Sequence, residues 1–529
     1  MSVVSYSFLA FLFVSVFIYY IVPGKIQWGV LLLASLAFYG YAGIPYLILV
    51  ITEALAVYVI SRAMQKNLDR QDELLVQADR KTARKIKNEM KEGRKRYLVA
   101  ALVILIGILA VFKGTGFVVE NINRVLLHLK KEPLTAVHII APLGISFYTF
   151  MMISYLMDLY RGKISAQKNF LKYLTYVLYF PHVTQGPIAR YEETASQMFT
   201  PHKFDYDVLT KGLWLMLWGF FKKLVIADRL SVFVTEVFGN SVNYRGPIFF
   251  IAAVLYSIQI YCDFSGCMDI VCGVSECFGI RLADNFIRPY FSQTLPEFWR
   301  RWHASLGAFF REYVFYPVST SEVFLKLNTR ARNRFGNTWG RNIASCLPIL
   351  CVWILTGIWH GCSWNYIGWG LFHGCLICMS TLFEQPLAAL TAKLKIRTDS
   401  VVWMIFRMLR TFFLCVIGRI IFIGNGIRNS LWMLKSCIVD MGYRYHLVED
   451  FPLNQRQWTV LALSCLILFG VSLAQELRMK QKKEGTIRDW LAERNLVFRW
   501  IVLLTGIMFI LIFGVYGSGI GVKFIYEQF

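Results

Sequence analysis

The chain has 529 residues, of which 56% are hydrophobic, 16% aromatic and only 17% charged. Soluble globular domains carry about 25% charged residues and disordered chains carry few aromatics, so both classes are excluded. The net charge of +23, from 56 Lys and Arg against 33 Asp and Glu, would suggest nucleic acid for a soluble protein. No RRM, KH, zinc-finger or helix-turn-helix pattern accompanies it, and the basic residues gather between apolar runs, as in cytoplasmic loops.

About 20 mostly apolar residues span a bilayer as a helix, and such runs recur along nearly the whole chain. The composition therefore predicts an all-α, polytopic integral membrane protein forming one domain over residues 1–529, with roughly 10–12 transmembrane or re-entrant helices. The first run, Val3 to Val22, has no basic segment before it and no small-residue cleavage site, so it reads as a retained anchor. Runs at 30–41 and 46–60 are short and separated by Gly40, Gly43 and Pro45, as in a hairpin. Residues 62–97 are strongly basic, and read as a cytoplasmic loop or as a helix lying on anionic lipid. Counting back three crossings puts the N-terminus outside and Lys25 inside, consistent with the absence of Lys and Arg from residues 1–21.

Further runs follow at about 98–112, 136–157, 173–180, 213–233 and 248–278, then at 343–358, 366–383, 401–423, 458–473 and 500–516. A region rich in motifs occupies 142–374, and 401–529 reads as C-terminal helices. The segment Lys326 to Arg341 carries five Lys or Arg residues, with Gly336 and Gly340 expected to keep it loop-like on the cytoplasmic side. No internal repeat is legible. The glycine cluster Gly517–Gly521 reads as a turn.

Four stretches are polar for their surroundings. "PLGISFYTF" begins at Pro142, and "YFPHVTQGPIARY" runs from Tyr179 to Tyr191. "YCDFSGCMDI" sets Asp263 and Asp269 in an apolar run, and a dense block extends from Asn285 to Pro317. Acidic residues in membrane segments are costly and face a cavity or a partner, which makes these stretches candidate cavity walls. In the last block Trp299, Trp302, Leu306, Phe309 and Tyr313 follow helical spacing beside Arg300, Arg301 and Arg311. An interfacial helix accounts for the aromatics and arginines but not for His303, four residues from Trp299.

His360, in "GIWHG", ends an apolar run between Gly357 and Gly361. Glycines permit close approach, and imidazole moves protons near neutral pH. His373 lies thirteen residues on, but neither H-E-x-x-H nor a carboxylate at ligand spacing supports a metal site. The twelve cysteines read as small buried hydrophobes. Cys262, Cys267, Cys272 and Cys277 rotate about 140° per step on a helix, so they share no face, and Cys375 and Cys378 form a lone C-x-x-C.

The order "FWRRWHASL", then "GIWHG" continuing into "WNYIGWGLFHG", resembles the membrane-bound O-acyltransferase superfamily. "PLGISFYTF", "YFPHVTQGPIARY", "YCDFSGCMDI" and the terminal "FIYEQF" are most similar to its bacterial alginate O-acetyltransferase subfamily. The resemblance implies a ring or funnel of helices around a tunnel, with His360 as the principal catalytic residue and His303 as a second functional position. It implies no bound cofactor, an acetyl-CoA or acyl-carrier thioester as donor, and a polysaccharide hydroxyl as acceptor. It also implies an extracytoplasmic SGNH-hydrolase-like relay or acceptor protein and residence in the cell membrane. After Pro317 the sequence departs from the usual "GGNR"-like turn.

Arg300, Arg301 and Arg311 are then candidate donor-phosphate contacts, with interface anchoring as the other reading. Trp299, Trp359 and Asp263 are further candidates for binding substrate or donor. D-alanyl transfer toward a teichoic acid-like polymer, a polysaccharide exporter and a docking scaffold are the competing functions. The charge asymmetry makes one direct prediction. In intact cells a membrane-impermeant thiol reagent should label Ser2→Cys and leave Gln65→Cys at the background of the parent chain. Labelling at position 65 would reverse the orientation.

Overall fold

The computed structural model describes residues 2–76, 78–135, 139–481 and 485–516. The terminal "FIYEQF" and the Gly517–Gly521 cluster lie outside the described residues. Among the described residues the structure is helical, with one isolated β-bridge between Phe286 and Trp302. The chain divides into two compact units, Met1–Leu213 with Val271–Ala283, and Trp214–Ile270 with Asp284–Phe529.

The first unit holds α1 (Tyr6–Ile21), α2 (Gln27–Ala42), α3 (Ile44–Leu75), α4 (Arg80–His128), α5 (Ile145–Tyr160), α6 (Phe170–Leu178), α7 (Phe180–Val183) and α8 (Tyr191–Met198). Gly43, with φ +147°, makes the expected sharp joint between α2 and α3. The basic stretch 62–97 is helical rather than a loop. It forms the ends of α3 and α4, two long helices consecutive in the chain. Arg94 is buried there and donates to Gln71 Oε1 at 2.8 Å and Asn67 Oδ1 at 3.4 Å, which ties the pair together. Asp79 caps α4 by accepting from the Lys81 and Thr82 amides. Two of the sequence motifs meet in this unit, because Gly144, at φ +71°, lies where any Cβ would strike the Val183 carbonyl.

α9 (Tyr206–Phe220) and α11 (Ile248–Glu276) contribute residues to both units. A fully buried π-helical turn, Phe221–Ala227, follows α9 and leads into α10 (Asp228–Gly239). Such turns re-aim side chains and recur at functional sites. Here the turn sets Lys223 Nζ 2.6 Å from Asp263 and 2.7 Å from Asp228, and Lys222 Nζ 2.7 Å from Asp269. Gly219 and Gly266 let the backbones come close enough for this, since a Cβ on Gly219 would lie 2.5 Å from the Gly266 carbonyl oxygen.

The second unit continues with α12 (Leu295–Arg301), α13 (Ala304–Phe310), α14 (Tyr316–Ser319), α15 (Glu322–Phe335), α16 (Asn337–His360), α17 (Trp364–Lys393), α18 (Val401–Ile423), α19 (Ile427–Val439), α20 (Gln455–Lys480), α21 (Ile487–Ala492) and α22 (Leu496–Phe513). The single helix expected across Trp299 to Tyr313 is broken at Trp302 and His303. The basic segment 326–341 is helical rather than loop-like. Ser321 caps α15, Gly336 at φ +80° ends it, and Gly340 packs inside α16 against Arg332.

Eight described helices are long and apolar enough to cross a membrane, namely α3, α4, α11, α16, α17, α18, α20 and α22. On α18 the exposed residues Val402, Phe406, Leu409 and Phe413 line one side, while Thr411, Cys415, Gly418, Arg419 and Phe422 are buried on another. An apolar exterior with a polar residue turned inward is the pattern of a helix in lipid.

Candidate active site

The site is built in the second unit from three separate segments. The first is the break between α12 and α13. His303 sits there with φ +49°, ψ +55°, a left-handed conformation that costs a non-glycine residue about 1–3 kcal/mol. Asn285 holds it in place. The Ala304 amide donates to the Asn285 carbonyl at 2.9 Å, and the Ile287 amide donates to the Arg301 carbonyl at 2.9 Å. The Asn285 Oδ1 accepts from the Ser305 amide at 3.0 Å and from the Ser305 hydroxyl at 2.9 Å.

That same oxygen lies 3.1 Å from His303 Nδ1. Because Oδ1 accepts from a backbone amide, it is an acceptor, so Nδ1 carries the proton and Nε2 carries the lone pair. His303 lies outside the eight long apolar helices, and burial pushes its imidazole down to about 3. The ring is therefore neutral at physiological pH, with a fixed tautomer.

The second segment is the α16–α17 hairpin. His360 is the last residue of α16, and Gly361 follows at φ +159°. A Cβ on Gly357 would lie 2.5 Å from the Tyr366 carbonyl oxygen, and one on Gly370 would strike the Trp353 carbonyl. The two helices approach this closely because neither position has a side chain. The third segment is the end of α18, where Asn365 donates to the Phe422 carbonyl at 2.9 Å.

Together these segments surround both histidines with aromatic rings. The Trp359 indole lies 5.7 Å from the His303 ring and 4.7 Å from the His360 ring. Trp369 and Phe422 complete the surround of His360 at 5.0 Å and 5.2 Å, and Phe264 lies 4.8 Å from His303. Two buried imidazoles thus share one aromatic region, each against the same indole ring. Among the described residues no group of three His, Cys, Asp or Glu side chains is placed to hold a metal ion.

A family model for MBOAT, the membrane-bound O-acyltransferase family, matches residues 163–426. A protein named probable alginate O-acetylase from Azotobacter vinelandii is 30% identical over 386 residues, which is 72% of this chain and 70% of that protein. The chain belongs to the membrane-bound O-acyltransferase family. The peptidoglycan O-acetyltransferase of Helicobacter pylori is 27% identical over 77% of this chain and 73% of its own length. The teichoic acid D-alanyltransferase of Bacillus subtilis is 28% identical over 47% of this chain and 61% of its own. The protein is accordingly a multi-pass membrane acyltransferase, and both histidines fall inside the family match.

The remaining sequence candidates separate by position. Trp299 and Trp359 belong to the aromatic cluster. Arg300 and Arg311 are exposed. Arg301 is engaged in ion pairs, 2.7 Å from Glu297 and 3.1 Å from the buried Glu476 of α20, which Arg288 also meets at 3.0 Å. Asp263 is held by Lys223 in the buried network beside the π-helical turn. His373 matches no catalytic motif, yet it lies 4.9 Å from Trp299 and 5.3 Å from Trp369.

Sequence reasoning missed Asn285, Trp369, Arg419 and Phe422. Asn285 and Trp369 lie inside stretches the sequence singles out, without a role of their own, and Arg419 stands as a lone base late in the apolar run Thr411–Ile423. If Asn285 acts through the His303 tautomer, Asn285→Ala should slow acyl transfer about tenfold or more. The Asn285→Ala/His303→Ala double variant should then be no slower than His303→Ala alone. Additive losses in that cycle would show that Asn285 acts elsewhere.

Proposed function

We propose that the protein transfers an acyl group, acetyl in the preferred reading, from a cytosolic thioester across the cell membrane toward hydroxyls of an extracellular polysaccharide. The observation that carries the reading is that His303 and His360, from segments more than fifty residues apart, both pack against the Trp359 ring, at 5.7 Å and 4.7 Å. Similarity to relatives named for alginate and peptidoglycan O-acetylation favours acetyl transfer to a glycan.

In the proposed step a hydroxyl oxygen attacks the thioester carbonyl carbon and the C–S bond breaks. The hydroxyl proton passes to His360 and then to the departing thiolate, leaving an ester and a free thiol. A positioned imidazole contributes about 10²–10⁴-fold to such a step. His360 is suited to the base role because it ends a 24-residue helix, whose terminal carbonyl dipoles stabilise the imidazolium formed. His303, with its lone pair on Nε2, accepts a hydrogen bond from the incoming hydroxyl and orients it. Holding donor and acceptor together converts an encounter into a quasi-unimolecular step, and the aromatic surround excludes the water that would hydrolyse the donor.

No protein-bound cofactor is invoked. The donor is acetyl-CoA or an acyl-carrier thioester, and an extracytoplasmic SGNH-hydrolase-like protein relays or receives the acyl group. The N-terminus lies outside. The experiment is acyl-ester analysis of the surface polymer in cells carrying each variant at matched membrane levels. His360→Ala should reduce acylation at least about 100-fold while the protein still accumulates, and His303→Ala should leave residual activity. Near-normal acylation by the His360 variant would remove it as the base, and released D-alanine in place of acetate would move the reading to teichoic acid-type chemistry.

A further inference from the structure

Arg419, on the inward side of α18, is 3% exposed. Its guanidinium stacks on the Trp302 indole, 4.5 Å from the ring centroid, and lies within electrostatic reach of His373, Tyr256 and Tyr290. Among the described residues it has no carboxylate in ion-pair range, and its Nε and Nη2 make no hydrogen bond. Among the described residues the other buried cations of this unit are engaged: Lys222 and Lys223 meet carboxylates, and Arg229 donates to the Val225 and Phe513 carbonyls. A buried charge with neither counter-ion nor hydrogen bonds is costly, and a cation–π contact of about 2 kcal/mol does not offset several.

Arg419 is not the only orphaned donor here. The indole N–H groups of Trp299 and Trp369 are also buried without a hydrogen-bond partner, as is Nδ1 of His373. These side chains touch one another: the Trp299 ring lies 5.4 Å from Trp369 and 4.9 Å from His373. Gly418 brings α18 against them, since a Cβ there would lie 2.5 Å from His373 Nε2. The Arg419 guanidinium and two indole N–H groups, donors left without partners on an aromatic wall shared with His360, call for a ligand oxygen that carries or develops negative charge.

Resting on the acyl-transfer reading above, we infer that Arg419 is an oxyanion-binding residue, which receives the thioester carbonyl oxygen and stabilises its charge as the hydroxyl adds. Among the described residues Arg419 is the cation set in this aromatic cluster without a carboxylate, and one cation matches one developing charge. The phosphates of a donor carry several charges and require several cations. Position agrees, because Arg419 lies one helical turn before Phe422, whose ring packs on His360 at 5.2 Å. In the step, the C=O bond electrons move onto oxygen as the hydroxyl adds, the guanidinium faces that oxygen, and they return as the C–S bond breaks.

The test uses Arg419→Met and Arg419→Lys in the full-length chain, with three readouts. Acyl-ester formation on the surface polymer at matched membrane levels should fall about 100-fold for Arg419→Met and less for Arg419→Lys, which keeps the charge. The purified Arg419→Met protein should melt at or above the parent temperature, since an unpaired buried cation is removed. Binding of coenzyme A itself, which has no acyl carbonyl, should be unchanged.

Acylation by Arg419→Met within about threefold of the parent would overturn the inference and leave the proposed function standing. A lowered melting temperature with loss of protein would make Arg419 a packing element. Tenfold weaker coenzyme A binding would reassign it to the donor's phosphates. A parent protein that acylates no polymer would sink both the proposed function and this inference.

Discussion

The left-handed backbone at His303 is the constraint around which the site is organised. A histidine at φ +49° is unfavourable by about 1–3 kcal/mol, and it persists because Asn285 and its neighbours bind both flanks of the break. The same break separates α12 from α13, so that Trp302 and His303 leave the helical path that their spacing prescribes. Trp302 turns to the underside of the Arg419 guanidinium, and His303 turns toward Trp359. A continuous helix would fix these two side chains about 100° apart on one axis.

A second device brings His360 to the same place. The α16–α17 hairpin closes on glycines, at Gly357 and Gly370, where a methyl group would meet a carbonyl oxygen. Close backbone approach lets Trp369 and Tyr366 reach the end of α16, and α18 closes the region with Phe422. Bulky aromatic side chains then fill the space between helices whose backbones have come together. The result is a buried aromatic surround in which polar groups are few. Electrostatic interactions are strongest in such surroundings, which is why the tautomer of His303 and the charge of Arg419 carry so much weight.

Much of this organisation is legible in the sequence, though unevenly. The apolar runs at 401–423 and 248–278 reappear almost unchanged as α18 and α11, since composition alone decides such helices. The family resemblance rests on motifs that fold into contact with one another, as Gly144 and Val183 do. The misreadings share a cause. The loop reading of 326–341, and the loop alternative for 62–97, rest on polarity and glycine as loop signals. Helix caps at Asp79 and Ser321, with long runs of good helix formers, overrode them. The spacing of Trp299, Trp302 and Leu306 was read as one helix because local periodicity carries no information about Asn285, whose hydrogen bonds break it. Asn285 and Trp369 act through tertiary contact, which a single sequence does not display. Arg419 did leave a trace, as a charge inside an apolar helix.

The direct measurement is a cryo-EM structure of the full-length protein in lipid with a non-hydrolysable ketone analogue of acetyl-CoA. The shared-site mechanism predicts the carbonyl carbon between the two imidazoles, beside Trp359. A hydroxyl oxygen about 3–3.5 Å from it would then be in hydrogen-bond reach of His360, with the carbonyl oxygen turned toward Arg419. A well-occupied analogue whose acyl group lies away from Trp359, with the histidines in contact only with protein, would contradict it.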